Sequence, residues 1–405
     1  MPIIFMKKNL HPHKKKIISL ITPSSKSIAI RCVAIAMAGL KFNPEINQFV
    51  LNNFPTCDDT FAALNVAKSL GFTAENITSN TILLTYNKQT SLMNNVEVNC
   101  GESALCYRLF SYFSKLFSSD AILTTSGSLT KRIKNDNSIP TGRLCSGEYK
   151  VDCSDTSQYL TGLLYSLPFI DGNSTIKINN PVSRGYIEMS IDLIRKVGIN
   201  VDFEKDTINI NGNQKINCNN FLIEGDWSVA SNFFVLGAIS GEVQVANIDY
   251  KSVQPDAVIL RLFESLKINF LRIADNIFSI NKSRYQGFEF DATDCPDIIP
   301  PLVVLAFNAI TPSKIIGINR LVNKESNRKD VLFKVFSMLG GRIRIENNCF
   351  VINPSALTGG FADSHSDHRI AMAIAIASNI CKNPLTITGA ECVNKSFPDF
   401  WKYIN

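Results

Sequence analysis

Four short segments place ionisable side chains at the mouths of otherwise oily runs: PSSKSIAIR (23–31), CPDIIPPLVV (295–304), KESNRKD (324–330) and SDHRIAMAIAIAS (366–378). In the first, Pro23 breaks a strand, serines cap a helix, and Lys26 and Arg31 are spaced to reach an anion in front of the helix end. The plainer alternative is a capped helix with solvated charges. In the second, Asp297 follows a proline and precedes a long apolar run, so its carboxylate is partly desolvated. Such a group either caps the helix or serves as a general base, and the base is attractive only with cations and a substrate hydroxyl nearby. In the third, Lys324 and Arg328 stand one turn apart around Glu325, a pattern that ordinary helix surfaces also show. In the fourth, Asp367, His368 and Arg369 open a helix bound for the core.

The elements behind these mouths repeat. Six segments are apolar all round and start with polar residues, beginning at Ser25, Glu102, Thr156, Asp226, Pro296 and Asp367. A second kind of helix is one-sided, with apolar residues at three-and-four spacing, as in DDTFAALNVAKSLGF, GYIEMSIDLIRKVGIN, DAVILRLFESLKIN and RKDVLFKVFSMLGG. Alternating runs such as DTININGNQ, GEVQVANI and RIRIENNCFVINP read as strands and hairpins. The resulting unit holds two helices and several strands in about sixty to seventy residues, and about six units fit the chain, grouped three plus three. A buried helix leaves its first amide N–H groups unpaired and its dipole positive at that end, so several such ends around one cleft make a strong anion site. The polar residues sit where this requires: Lys26, Ser27 and Arg31 on the first buried helix and Arg108 within the second. Thr156, Ser157 and Gln158 lead the third, and His368 and Arg369 the last.

Composition agrees with a globular α/β chain of two or three domains: 405 residues, 45% hydrophobic, 19% charged, net charge +6. That mild positive balance suits an anionic ligand and is too dispersed for nucleic acid. The one dense basic run, MKKNLHPHKKK, lacks interleaved aromatics and reads as a solvated arm or an edge strand. Eleven cysteines in oily contexts with no CxxC pair point to free thiols in a reducing compartment. No secretory leader or membrane span is legible, so a cytoplasmic protein is expected. Phosphate-binding glycine loops, the GxSxG elbow and a metal-ligating His/Cys cluster are all missing from the pattern, which argues against nucleotide, hydrolase and metal chemistry.

Taken together, the mouths resemble the EPSP synthase (3-phosphoshikimate 1-carboxyvinyltransferase) family. PSSKSIAIR is similar to its PGSKS-xxx-R segment, GESALCYR to GNAGT-xxR, TSQYLT to SSQFLT, and SRGYIEM to S-x-PYI. EGDWSVAS, CPD, KESNR, SDHRIAM and KSFPDF follow in the family's order, nine matches from Pro23 to Phe400. The resemblance implies a two-domain inside-out α/β barrel, each domain three βαβαββ repeats, with the active site in the inter-domain cleft. Met1–Thr22 with Asp226–Asn405 would form one domain and Pro23–Gly225 the other.

The implied reaction moves the enolpyruvyl group of phosphoenolpyruvate onto the 5-hydroxyl of shikimate 3-phosphate and releases phosphate, with no metal or organic cofactor. By resemblance, Lys26, Ser27, Arg31, Thr156, Ser157, Gln158, Ser183, Tyr186, Asp297 and Lys324 bind shikimate 3-phosphate. Lys26, Ala104, Arg132, Gln158, Arg328, His368, Arg369 and Lys395 face phosphoenolpyruvate. Asp297 takes the proton from the hydroxyl, and Glu325, assisted by Lys26, handles the proton at the methylene carbon. No nucleic acid or membrane partner is implied, and a monomer is expected.

Three departures touch this pattern. Ala104 and Leu105 stand where the family has Gly and Thr, and the added methyl crowds the phosphoenolpyruvate side, implying weak sensitivity to the inhibitor glyphosate. Asn327 replaces an Asp, and the Arg132 segment lacks its usual Pro. The sister enolpyruvyl transferase acting on UDP-N-acetylglucosamine is the nearest alternative, but it prefers Asn where this chain has Ser27, and its reactive-cysteine loop is not recognisable here. A degenerate anion-binding homologue is the other, against which Asp297 and Glu325 both stand.

Overall fold

The computed structural model describes residues 6–12, 17–87, 95–133 and 141–404. The chain divides into two compact units: unit 1 is Met1–Pro23 with Gly225–Asn405, and unit 2 is Ser24–Glu224. Each has a core of its own, the first running from Leu10 to Ile404 and the second from Ile28 to Ile223.

The repeat is clearest in the last part of unit 2. Strand Glu148–Asp152, helix Gln158–Leu164, strand Ser174–Asn179, helix Arg184–Lys196 and the hairpin Val201–Glu204/Thr207–Ile210 make one βαβαββ module. The first two strands pair in parallel and the hairpin adds antiparallel. Unit 1 repeats the order with Glu289–Asp291, Ser313–Ile316, Cys349–Asn353 and Arg342–Glu346. At the two crossings between units the first strand of a module is exchanged. Ile18–Ile21 precedes the helix of unit 2 but pairs with Val243–Ala246 in unit 1, and Asn220–Leu222 precedes the helix of unit 1 but pairs with Gln48–Asn52 in unit 2.

Both units hold the exchanged strand with the same device. In unit 2 Asn53, left-handed at φ 55°, donates its side-chain amide to Ile223 O at 2.8 Å. In unit 1 Asn247, at φ 65°, does the same to Thr22 O at 2.8 Å. Asparagine tolerates this backbone region while keeping an amide for the neighbour, so one residue type serves both needs. Unit 1 is further completed by Lys7–Leu10, an edge strand antiparallel to Leu385–Thr388, where part of the basic N-terminal run lies.

The all-round apolar segments are the buried helices. Lys26–Phe42 is buried from Ile28 to Leu40, Trp227–Ser240 from Trp227 to Ile239, and His368–Ala377 throughout. Two helices are shorter than their sequence runs suggest. The run from Thr156 is helical only over Gln158–Leu164 before a 3₁₀ turn at Leu167–Phe169 containing Pro168, and the run from Pro296 begins with a 3₁₀ turn before Ile299–Phe307. Proline accounts for both: it lacks the N–H a continuing helix needs and is tolerated only in the first turn. GEVQVANI holds a central strand, Val243–Ala246, which pairs with Ile277–Ile280 on one side and Ile18–Ile21 on the other.

Candidate active site

In unit 1 the mouths of separate elements converge on one charged cluster. Asp297, in the turn Pro296–Ile298, receives Arg328 Nη1 at 3.0 Å and Lys324 Nζ at 3.5 Å on Oδ1, and Arg369 Nη2 at 3.0 Å on Oδ2. Arg328, the first residue of helix Arg328–Met338, spreads its guanidinium over three carboxylates. Beyond Asp297, Nη2 meets Glu325 Oε2 at 2.6 Å and Nε meets Asp367 Oδ2 at 2.7 Å. Lys395 Nζ stands 3.9 Å from Glu325 Oε1. Asp367 also caps its helix, with Oδ1 accepting from Arg369 N at 3.0 Å, and its Oδ2 takes Ser326 N–H and O–H. His368, buried beside it, has Nδ1 4.0 Å from Asp367 Oδ1.

The electrostatics follow from this packing. Burial pushes the Asp297 carboxyl up, but Arg369, Lys324 and Arg328 together outweigh it and hold the group well below the usual carboxylate range. Burial pulls Arg328 and Arg369 down, and the carboxylates more than restore them, so both end above the ordinary arginine value. Lys324 ends below its ordinary value because burial dominates the pull of Asp297. Four cations (Lys324, Arg328, Arg369, Lys395) meet three carboxylates (Asp297, Glu325, Asp367) in these ion pairs, and the acids Asp226 and Asp256 also act on Arg369.

Unit 2 builds a second set. Lys26, first residue of its helix, is held by Asp59 at 2.8 Å, with the two side chains 12% and 9% exposed. Ser25 caps that helix, its hydroxyl accepting from Ile28 N. Arg31 is turned inward rather than toward solvent: Nε donates to Ser190 Oγ at 2.9 Å, Nη1 to Ser27 O at 2.9 Å and Nη2 to Thr161 Oγ1 at 3.5 Å. Burial lowers its pKa. Tyr186 O accepts from Ser190 Oγ at 2.7 Å, which ties Tyr186 to the same network. Gln158 Oε1 accepts from Arg108 at 3.0 Å, while its backbone N–H goes to Thr156 Oγ1 at 3.3 Å. Ser157 and Ser183 are buried at the starts of Gln158–Leu164 and Arg184–Lys196, Ser183 in a left-handed conformation.

Ala104 opens helix Ala104–Phe113, capped by Ser103, and Arg132 ends the short helix Gly127–Arg132. Glu102 positions that short helix, accepting from Ser128 N at 3.1 Å, and Gly127 at φ 56° leaves room that a Cβ would take from the carboxylate.

The structure thus gathers Asp297, Lys324, Glu325, Arg328, Arg369 and Lys395 into one contact network, and Lys26, Ser27, Arg31, Gln158 and Tyr186 into local networks in unit 2. Sequence reasoning missed Asp59, Ser190, Thr161 and Asp256. Asp59 carried a faint signal, an acid in the first turn of the one-sided helix Asp58–Ser69, where the dipole already favours it.

The chain matches the family model described as EPSP synthase (3-phosphoshikimate 1-carboxyvinyltransferase) over residues 131–404. It is 33% identical to the 3-phosphoshikimate 1-carboxyvinyltransferase of Clostridium novyi, covering 94% of this chain and 92% of the relative. It is 35% identical to that of Clostridium kluyveri, covering 75% and 70%. Among solved structures it resembles the EPSP synthase of Acinetobacter baumannii, with a TM-score of 0.80 at 20% identity over 98% of this chain and 97% of that one, a likeness of fold.

Proposed function

The chain belongs to the EPSP synthase family, and from that membership we propose how its own residues transfer the enolpyruvyl group of phosphoenolpyruvate to the 5-hydroxyl of shikimate 3-phosphate, releasing phosphate. The observation that carries the reading is Asp297, a carboxylate ringed by Arg328, Arg369 and Lys324. Two polyanions must be gathered and protons moved, and four cations held in a shielded cluster serve the first need by electrostatic stabilisation.

The cluster explains how a base can be stored. With three cations on it, Asp297 is a weak proton acceptor. When phosphate and carboxylate groups of the substrates engage Arg328, Arg369, Lys324 and Lys395, those cations are shared, and Asp297 becomes basic enough to take the hydroxyl proton. Glu325, now held by Arg328 and Lys395, is freed in the same way to handle the proton at the methylene carbon, with Lys26 assisting. His368 lines the phosphoenolpyruvate side with Arg369, joined by Ala104, Arg132 and Gln158. Ser27, Arg31, Thr156, Ser157, Gln158, Ser183 and Tyr186 hold shikimate 3-phosphate, Arg31 acting from its buried position.

The enzyme works as a monomer in the cytoplasm, a reducing setting that suits its eleven free cysteines. No helix among the described residues is long and apolar enough to cross a membrane. Mixing the full chain with shikimate 3-phosphate and phosphoenolpyruvate releases inorganic phosphate in proportion to time and enzyme. No release at millimolar substrates sinks the reading in favour of a non-catalytic anion-binding protein.

A further inference from the structure

One buried acid beside the cluster has no part in the proposed reaction. Asp256 lies in the 3₁₀ turn Pro255–Val258 and is 1% exposed. Its Oδ2 accepts from Ser228 Oγ, on the first turn of helix Trp227–Ser240, while its buried Oδ1 has no hydrogen-bond partner among the described residues. An ionised carboxylate with one bare oxygen in a dry setting is costly, whereas the neutral acid is tolerated.

The charged and titratable groups around it come from three directions. Asp226 is at the mouth of helix Trp227–Ser240, Cys295 and Asp297 lie at the turn Pro296–Ile298, and Arg369 is on helix His368–Ala377. Arg261 and Glu264, on the helix that follows the Asp256 turn, are exposed. Burial first, then the charge of Asp297, push the Asp256 carboxyl up to about 7, against the opposing pull of Arg369 and the Ser228 hydrogen bond. Arg369 Nη1 is itself buried without a hydrogen-bond partner among the described residues, so this guanidinium has a donor in hand for an incoming anion.

We propose that Asp256 couples anion binding at Arg369 to proton uptake. An anion that engages Arg369 shares the charge that had favoured ionised Asp256. The Asp256 carboxylate then takes a proton from solvent, and the cluster, one negative charge lighter, holds the anion more tightly. Asp256 is a positioning residue here: it touches no substrate and acts through Arg369. The inference deepens the proposed reaction and rests on it only in taking Arg369 as a grip for the anion.

Inorganic sulfate, which does not titrate near neutrality, is the probe, bound to the full-length chain in a calorimeter across pH 5.5 to 8.5 in buffers of unlike ionisation enthalpy. Affinity falls as pH rises through about 7, by up to about tenfold per pH unit for one linked proton, and binding takes up protons. Asp256→Asn binds sulfate with the low-pH affinity of the parent and shows no slope. Ser228→Ala removes a bond that favours the ionised form and moves the midpoint to higher pH. An unchanged slope in Asp256→Asn, binding without proton uptake, or no saturable sulfate binding overturns the proposal. Should Asp256→Asn fail to fold by circular dichroism, an unmoved midpoint in Ser228→Ala overturns it instead. Phosphate release from the two substrates alongside a flat sulfate profile sinks the coupling alone, and coupled sulfate binding without phosphate release sinks the proposed reaction alone.

Discussion

Arg328 shows how much of the site depends on single side chains. Its side chain is 2% exposed and its guanidinium bridges Asp297, Glu325 and Asp367, so it fixes the two carboxylates assigned to proton transfer relative to each other. Its planar fork makes this possible, and a lysine would serve only one partner at a time. Asp297→Ala removes the acceptor while leaving the cations free for anions. Turnover should therefore fall by at least ~10²-fold with only a modest change in KM, as for loss of a general base. Equal losses in kcat and in substrate affinity would instead assign Asp297 to binding. Because its carboxyl is held below the usual range, the stability that its ion pairs contribute is present above the unfolded carboxylate value and is lost as pH falls below it. In the free enzyme Asp297 therefore stays ionised throughout the neutral range. Asp297 and Arg369 stood out because each opens a buried apolar run, whereas Glu325 and Arg328 sit in a pattern common on helix surfaces and were singled out by the family resemblance. Asp256, Asp59 and Ser190 were not, since their meaning lies in partners 28, 33 and 159 residues away in the chain.

At the scale of elements, the helix mouths do two jobs with the same residues, ending a helix cleanly and presenting charge. Asp367 caps His368–Ala377 and also anchors Arg328, and Asp226 caps Trp227–Ser240 through Val229 N at 3.0 Å. Asn327 explains one departure from the family pattern. It caps helix Arg328–Met338 by accepting from Asp330 N at 3.3 Å, and its amide donates to Asp330 Oδ2 at 2.7 Å. Asp and Asn cap about equally well, but an Asp here would lose that donated bond and set two carboxylates together. Asn327→Asp should then cost about 1 kcal/mol, comparable to one hydrogen bond, measured by denaturant unfolding at pH 7. A variant as stable as the parent at pH 7 would mean that Asp330 turns away to solvent at no cost. Buried and one-sided helices were legible from periodicity alone. Strand exchange at the unit crossings was not, because Ile18–Ile21 and Asn220–Leu222 pair with strands far along the chain.

The whole molecule is two cores joined by two chain crossings, Pro23–Ser24 and Glu224–Gly225. The buried apolar residues of each unit pack within that unit: Phe234 belongs to the core of unit 1 and Phe110 to that of unit 2, both 0% exposed. At each crossing the chain is bonded into the unit it enters or leaves, Asp226 N to Pro23 O at 2.9 Å in unit 1 and Ser25 N to Glu224 O at 2.8 Å in unit 2. Each unit also brings its own version of the asparagine clamp, so neither depends on the other for its backbone hydrogen bonds at these points. Two cores of this size should unfold as two cooperative steps rather than one, because all-or-none behaviour is a property of single domains. In differential scanning calorimetry the total enthalpy should exceed the van't Hoff enthalpy of either step. Phe110→Ala and Phe234→Ala should each cost about 3–5 kcal/mol through the cavity left behind. Each should lower the transition of its own unit and leave the other close to its parent temperature. A single transition lowered equally by both substitutions would show instead that the two units unfold as one.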